Sequence, residues 1–138
     1  MTTNIKSLDD ITFINQFEMK TLNPTHFDHK GHIRLAWLYL NNHELEKAID
    51  LTCNGIKAYA ESLGAKGKFH LTITDALVRI MAQRIQKNPA NNWEYFLLVN
   101  QDLVLNSLEV IKQFYSNEVL FSNEAKCSLV KPDIKQIV

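Results

Sequence analysis

Five histidines occur in the chain, and three of them stand at positions that suit imidazole chemistry. His29 and His32 are spaced i, i+3, so on a helix they project from one face within a single turn. Such a pair can hold one metal ion, as Glu-x-x-His does in helical-bundle metal sites. His70 opens a later helical pattern. With His29, His32 and His70 as ligands and water at an open position, the set has the form of catalytic zinc. Histidine with a carboxylate also suits iron, manganese or nickel, and Glu18 is the carboxylate nearest in pattern. Without a metal, a neutral histidine in an apolar cavity serves as general base or as hydrogen-bond partner to a small ligand. The plainer alternative is a structural histidine that donates to a backbone carbonyl, and H-x-x-H spacing by itself does not separate the readings.

Helical periodicity is what must position these side chains. The clearest segment is 42–63, where Leu45, Ala48, Ile49, Thr52, Ile56, Tyr59, Ala60 and Leu63 fall in one arc at 100° per residue. Asn41 with Glu44 reads as a capping box, and Gly64 stands where a left-handed residue ends a helix. Ser7 with Asp10 predicts a helix to about Lys20. Thr25 or Asp28 predicts one over 26–40, with His29, His32, Ile33, Ala36 and Leu40 on a shared face. Residues 70–87 form another, ended by Asn88-Pro89, with His70, Ile73, Thr74, Leu77, Met81 and Ile85 facing inward. Segments 92–100 and about 107–115 predict shorter helices, and Ser122 predicts a last one before Lys131-Pro132. Short connections make neighbours antiparallel. If three successive helices run up, down and up, His29, His32 and His70 meet at one end, near Glu18. The expected fold is all-α: one domain over 1–138, a bundle of five to seven helices, core about 8–130 and tail about 131–138.

Composition narrows the function classes. The chain has 138 residues, 46% hydrophobic, with 15 Lys+Arg balancing 15 Asp+Glu. That neutral balance argues against electrostatic nucleic-acid binding. No run reaches the ~18 apolar residues of a membrane span, and the first residues lack secretory features, so the expected location is the cytoplasm. Cys53 and Cys127 have neither metal-ligand nor disulfide spacing.

Among the remaining residues, Trp37, Tyr39, Trp93, Tyr95, Phe114 and Tyr115 supply aromatic surface, for a core or for the wall of a small-molecule pocket. Trp37 and the inward Thr74 join Glu18 as candidate ligand contacts. His26 can replace one of the three histidines, whereas His43 falls in an interhelical turn. Gly64-Ala65-Lys66-Gly67-Lys68 lacks P-loop spacing and reads as a loop with solvated lysines.

The pattern Phe27-x-His29-x-x-His32-Ile33-Arg34-x-Ala36-Trp37-x-Tyr39-Leu40, followed by Lys68-Phe69-His70-x-Thr72-x-Thr74, resembles a family of small, uncharacterised bacterial proteins. Phe17-Glu18, Leu22-x-Pro24, Trp93, Phe114-Tyr115-Ser116-x-Glu118-x-Leu120-x-Ser122 and Val130-x-Pro132-Asp133 extend the likeness over about 13–133. The resemblance implies a stand-alone bacterial domain centred on its histidines, and it implies no activity. One departure is Leu71, where the family pattern favours Glu.

Two functional classes follow. One is a metal or small-molecule site built on His29, His32 and His70, with a divalent transition metal as cofactor and catalysis open. The other is a non-catalytic helical binding or interaction module with structural histidines, whose partner is a small molecule or a second copy of the chain.

Overall fold

The computed structural model describes residues 8–137, and all regular elements among them are helical. The order is α1 (Asp10–Glu18), a 3-10 turn (Pro24–His26), α2 (His29–Asn42), α3 (Leu45–Ser62), α4 (Leu71–Lys87), α5 (Trp93–Val99), α6 (Gln101–Ile111), α7 (Asn117–Leu120) and α8 (Asn123–Cys127). The all-α bundle read from periodicity is the fold found. The eight α-helices among the described residues exceed the expected five to seven. The four- and five-residue helices α7 and α8 are each shorter than the window in which periodicity is legible.

Side-chain caps set most of the boundaries. Asp9 Oδ1 accepts from the Thr12 amide at 2.8 Å and starts α1; the expected Ser7 cap lies outside the described residues. Asp28 Oδ1 accepts from Gly31 N at 2.9 Å, so of the two candidates for α2 Asp28 is the cap, and Thr25 belongs to the preceding turn. The Asn41–Glu44 capping box does not form, because Asn41 continues in α2 and Glu44 caps α3 with backbone alone. Gly64, at φ 77°, ends α3 in the left-handed conformation as expected. Ser116 Oγ and Ser122 Oγ accept from Val119 N and Ala125 N at 3.2 and 3.1 Å, one residue pair for each of the two short helices. The helix predicted over about 107–115 instead spans Gln101–Ile111, with a kink at Asn106.

α3 packs against α1, α2 and α4, and α4 also meets α2, α6 and α8. Only His43 and Glu44 separate α2 from α3, and a connection that short makes packed helices antiparallel. Phe13, Phe17, Ile33, Leu35, Ile80, Met81 and Leu103 are among the side chains fully or almost fully removed from water. Two helical glycines set how closely elements approach. A Cβ on Gly31 would sit 2.5 Å from the His26 carbonyl oxygen, and one on Gly55 would sit 2.8 Å from the Phe17 ring.

Polar links tie the remaining segments to this frame. Arg84 makes a two-pronged contact with Asp102 at 2.9 and 2.8 Å, joining α4 to the first turn of α6. The Thr72 hydroxyl donates to Ser128 O at 2.9 Å and accepts from Val130 N at 3.2 Å, while Tyr115 Oη donates to Val130 O at 2.6 Å. The stretch after α8 is thereby laid along α4. Among the described residues no helix is long and apolar enough to cross a membrane.

Candidate functional site

The histidines are built into the frame through their ring nitrogens. His70 is the N-cap of α4: Nδ1 accepts from Ile73 N at 3.1 Å, and Nε2, which must carry the proton because its partner is a carbonyl, donates to Leu120 O at 2.9 Å. Both nitrogens are therefore engaged, one in starting a helix and one in docking α7. His29 Nε2 donates to Leu103 O at 3.0 Å, bridging the start of α2 to α6. The residue is nonetheless exposed, not turned into the bundle as its place on the wheel suggested.

His32 is half-buried. Its Nδ1 donates to Asp28 O at 2.7 Å, and its ring stacks on Phe27 at 4.1 Å between centroids. Burial pushes its pKa below the usual histidine value; the neighbouring His29 adds to this, while the Asp28 carbonyl and carboxylate oppose it. His29 and His32 thus share the first turn of α2, while His70 is anchored to α7. Among the described residues, no group of three or more His, Cys, Asp or Glu side chains is arranged to hold a metal ion.

Two other expected contacts have structural partners. Trp37 is buried against Trp93 and Phe96, at centroid distances of 5.5 and 6.4 Å. Thr74 Oγ1 donates to the His70 carbonyl one turn back at 2.8 Å.

Glu18 has a different setting. It ends α1, and its Oε2 accepts from Tyr39 Oη at 2.8 Å. The Tyr39 ring is buried, and burial together with the Glu18 carboxylate raises its pKa far above the usual phenol value, so the hydroxyl stays a neutral donor. This pair forms the wall between two adjoining recesses. One, of about 470 Å³ between α1 and α3, is lined also by Lys20, Lys47, Asp50 and Asn54, over an apolar base that includes Phe17 and Leu51. The other, of about 330 Å³, lies between α1 and α2 and reaches His43, whose ring centroid is 6.1 Å from that of Tyr39.

The local sequence explains this groove. Gly55 lets Phe17 lie against α3, which brings the end of α1 down beside Tyr39. Lys20 then takes φ 61°, a left-handed conformation in which the Thr21 and Leu22 amides reach Gln16 O at 2.8 and 3.1 Å. Glycine adopts that conformation without strain, whereas a lysine pays for it. Reasoning from sequence found Glu18 and counted Tyr39 among the aromatic residues for a core or a pocket wall, but it missed Lys20 and His43. The sequence leaves Tyr39 open between core and pocket wall; the structure buries its ring and holds its hydroxyl on Glu18.

The charged lining carries both signs around one neutral hydroxyl donor, over an apolar base. Such an arrangement can orient a small polar molecule through hydrogen bonds and charge pairing. No protein-family model matches the chain, and neither the curated proteins nor the solved structures include a significant match to it.

Proposed function

We propose that the protein is a non-catalytic helical binding module that takes a small zwitterionic molecule in the groove between α1, α2 and α3, with its histidines serving as structural groups. The carrying observation is the Tyr39–Glu18 hydrogen bond at 2.8 Å, set in the wall shared by two recesses. Glu18 is exposed and keeps accepting capacity for a ligand ammonium, while Lys20 and Lys47 offer partners to a ligand carboxylate. Opposite charges lining one recess a few hundred Å³ in volume favour a ligand carrying both, because each ligand charge then meets an opposite one. Two further features support a binding role. The raised Tyr39 pKa suits a fixed donor and not a phenolate base, and both nitrogens of His70 are already engaged.

The test is nitrogen–proton correlation NMR on the full chain, titrated with free amino acids and short peptides. Shifts confined to Phe17–Lys20, Tyr39 and the exposed flank of α3 support the groove. Shifts centred on His29, His32 and His70 overturn it in favour of a histidine-centred site.

A further inference from the structure

The opposite flank of α3 carries a second recess, of about 380 Å³, closed by the loop after α3, the first turn of α4 and α8. Its base is apolar, with Ala60, Phe69 and Leu71 beside the buried thiol of Cys53. Its rim is basic: Lys57, Lys66 and Lys126 line it against a single acid, Glu61. Among the described residues none of these lysines makes an ion pair, although other lysine and arginine side chains do. Leu71 is the first residue of the seventeen-residue helix α4, so the positive end of that helix dipole also faces this wall. Gly64 and Gly67, at φ 77° and 89°, shape the loop so that Lys66 is carried between them.

Unpaired ammonium groups over an apolar pocket repel a cation and gain little from a neutral apolar body, but they complement an anion with a hydrophobic tail. We infer that the recess between α3, α4 and α8 is a second ligand site, for a small free carboxylate with an aliphatic or aromatic body, separate from the zwitterion groove. Asn54 lies on the ridge of α3 between the two. The apolar body packs on Phe69 and Leu71, and the carboxylate lies among the three lysines.

Cys127 gives this site its own reporter. It is exposed and lines the recess, whereas Cys53 is buried with its thiol pKa pushed up to about 12 by burial and by nearby Asp75 and Asp50. Alkylation by N-ethylmaleimide at neutral pH therefore reads Cys127.

The experiment measures the rate of Cys127 modification by intact-mass spectrometry on the full chain, with octanoate, octanol or acetate present. The expected result is that octanoate at ten times its dissociation constant slows modification about tenfold, by occupancy, while octanol and acetate at the same concentrations do not. Lys57→Gln combined with Lys126→Gln is expected to remove the protection, read as the ratio of that variant's own rates with and without octanoate, because a lysine beside a thiol also sets its basal reactivity. Leu71→Glu, which places an acid in the base and suits the first turn of a helix, is expected to do the same. Equal protection by octanol, no protection by octanoate, or protection that survives both variants overturns the inference. Circular dichroism of each variant confirms that the fold is retained, so that lost protection reports on the site.

Discussion

Tyr39 Oη donates to Glu18 Oε2 across 2.8 Å, linking the last turn of α2 to the last residue of α1. One partner is buried and the other exposed, so the bond holds a polar tip at the boundary between core and groove. Tyr39→Phe keeps the ring packing and removes only the hydroxyl. The expected cost is about 1 kcal/mol, the net worth of one such bond, read as a lower urea midpoint with unchanged m-value. Ligand-dependent stabilisation is expected to fall more than the basal loss accounts for, because Glu18 then has no fixed donor orienting it.

His70 offers a test of structural against ligating histidine. His70→Ala removes the cap on Ile73 N and leaves the buried Leu120 without its docking bond. The expected loss is about 2–3 kcal/mol for the two together. His70→Asn restores an accepting cap and is expected to recover about 1 kcal/mol of it in denaturant titration. Equal destabilisation by both, accompanied by loss of one equivalent of bound metal measured by plasma mass spectrometry, would assign His70 as a ligand instead.

His32 sets a pH dependence. Its folded pKa is lowered from 6.5, first by burial, so the unfolded chain takes up a proton at higher pH than the folded one. The stability tied to neutral His32 is therefore complete above pH 6.5 and is lost as pH falls below that value toward the lowered folded pKa. Unfolding free energy measured from pH 7.5 downward is expected to decline in the wild type and to decline less steeply in His32→Gln. Parallel profiles would show that His32 does not carry the effect.

The two glycine-dependent features of the groove predict opposite signs. In Gly55→Ala the new methyl group must displace the ring of Phe17, which is 2% exposed and packed against Phe27 and Tyr59. A loss of about 1–3 kcal/mol is expected from that overpacking. Lys20→Gly relieves the left-handed strain at φ 61° and is expected to add up to about 1 kcal/mol, while weakening binding of any ligand carboxylate. Thermal unfolding of both variants checks the signs.

How much of this was legible in the sequence follows from the range of each signal. Long amphipathic stretches gave α4 to within one residue and α3 to within three, because a helix wheel needs only local information. Asp28, Ser122 and Gly64 were recoverable because capping chemistry spans three or four positions. The convergence of His29, His32 and His70 required the relative placement of three helices. The partners that fix the rings of His29 and His70, Leu103 O and Leu120 O, are backbone atoms 74 and 50 residues away. A backbone acceptor has no sequence signature. The partner of the Tyr39 hydroxyl was hidden for a related reason: Glu18 lies 21 residues away on another helix.

The most direct measurement is a thermal-shift comparison, using a library of amino acids and other small zwitterions, of wild type, Glu18→Gln and His29→Ala. The expected result is a compound that raises the melting temperature of wild type and of His29→Ala alike, with the shift abolished in Glu18→Gln. A shift that survives Glu18→Gln and disappears in His29→Ala, or a library without any stabilising member, would contradict a binding groove anchored on Glu18 and Tyr39.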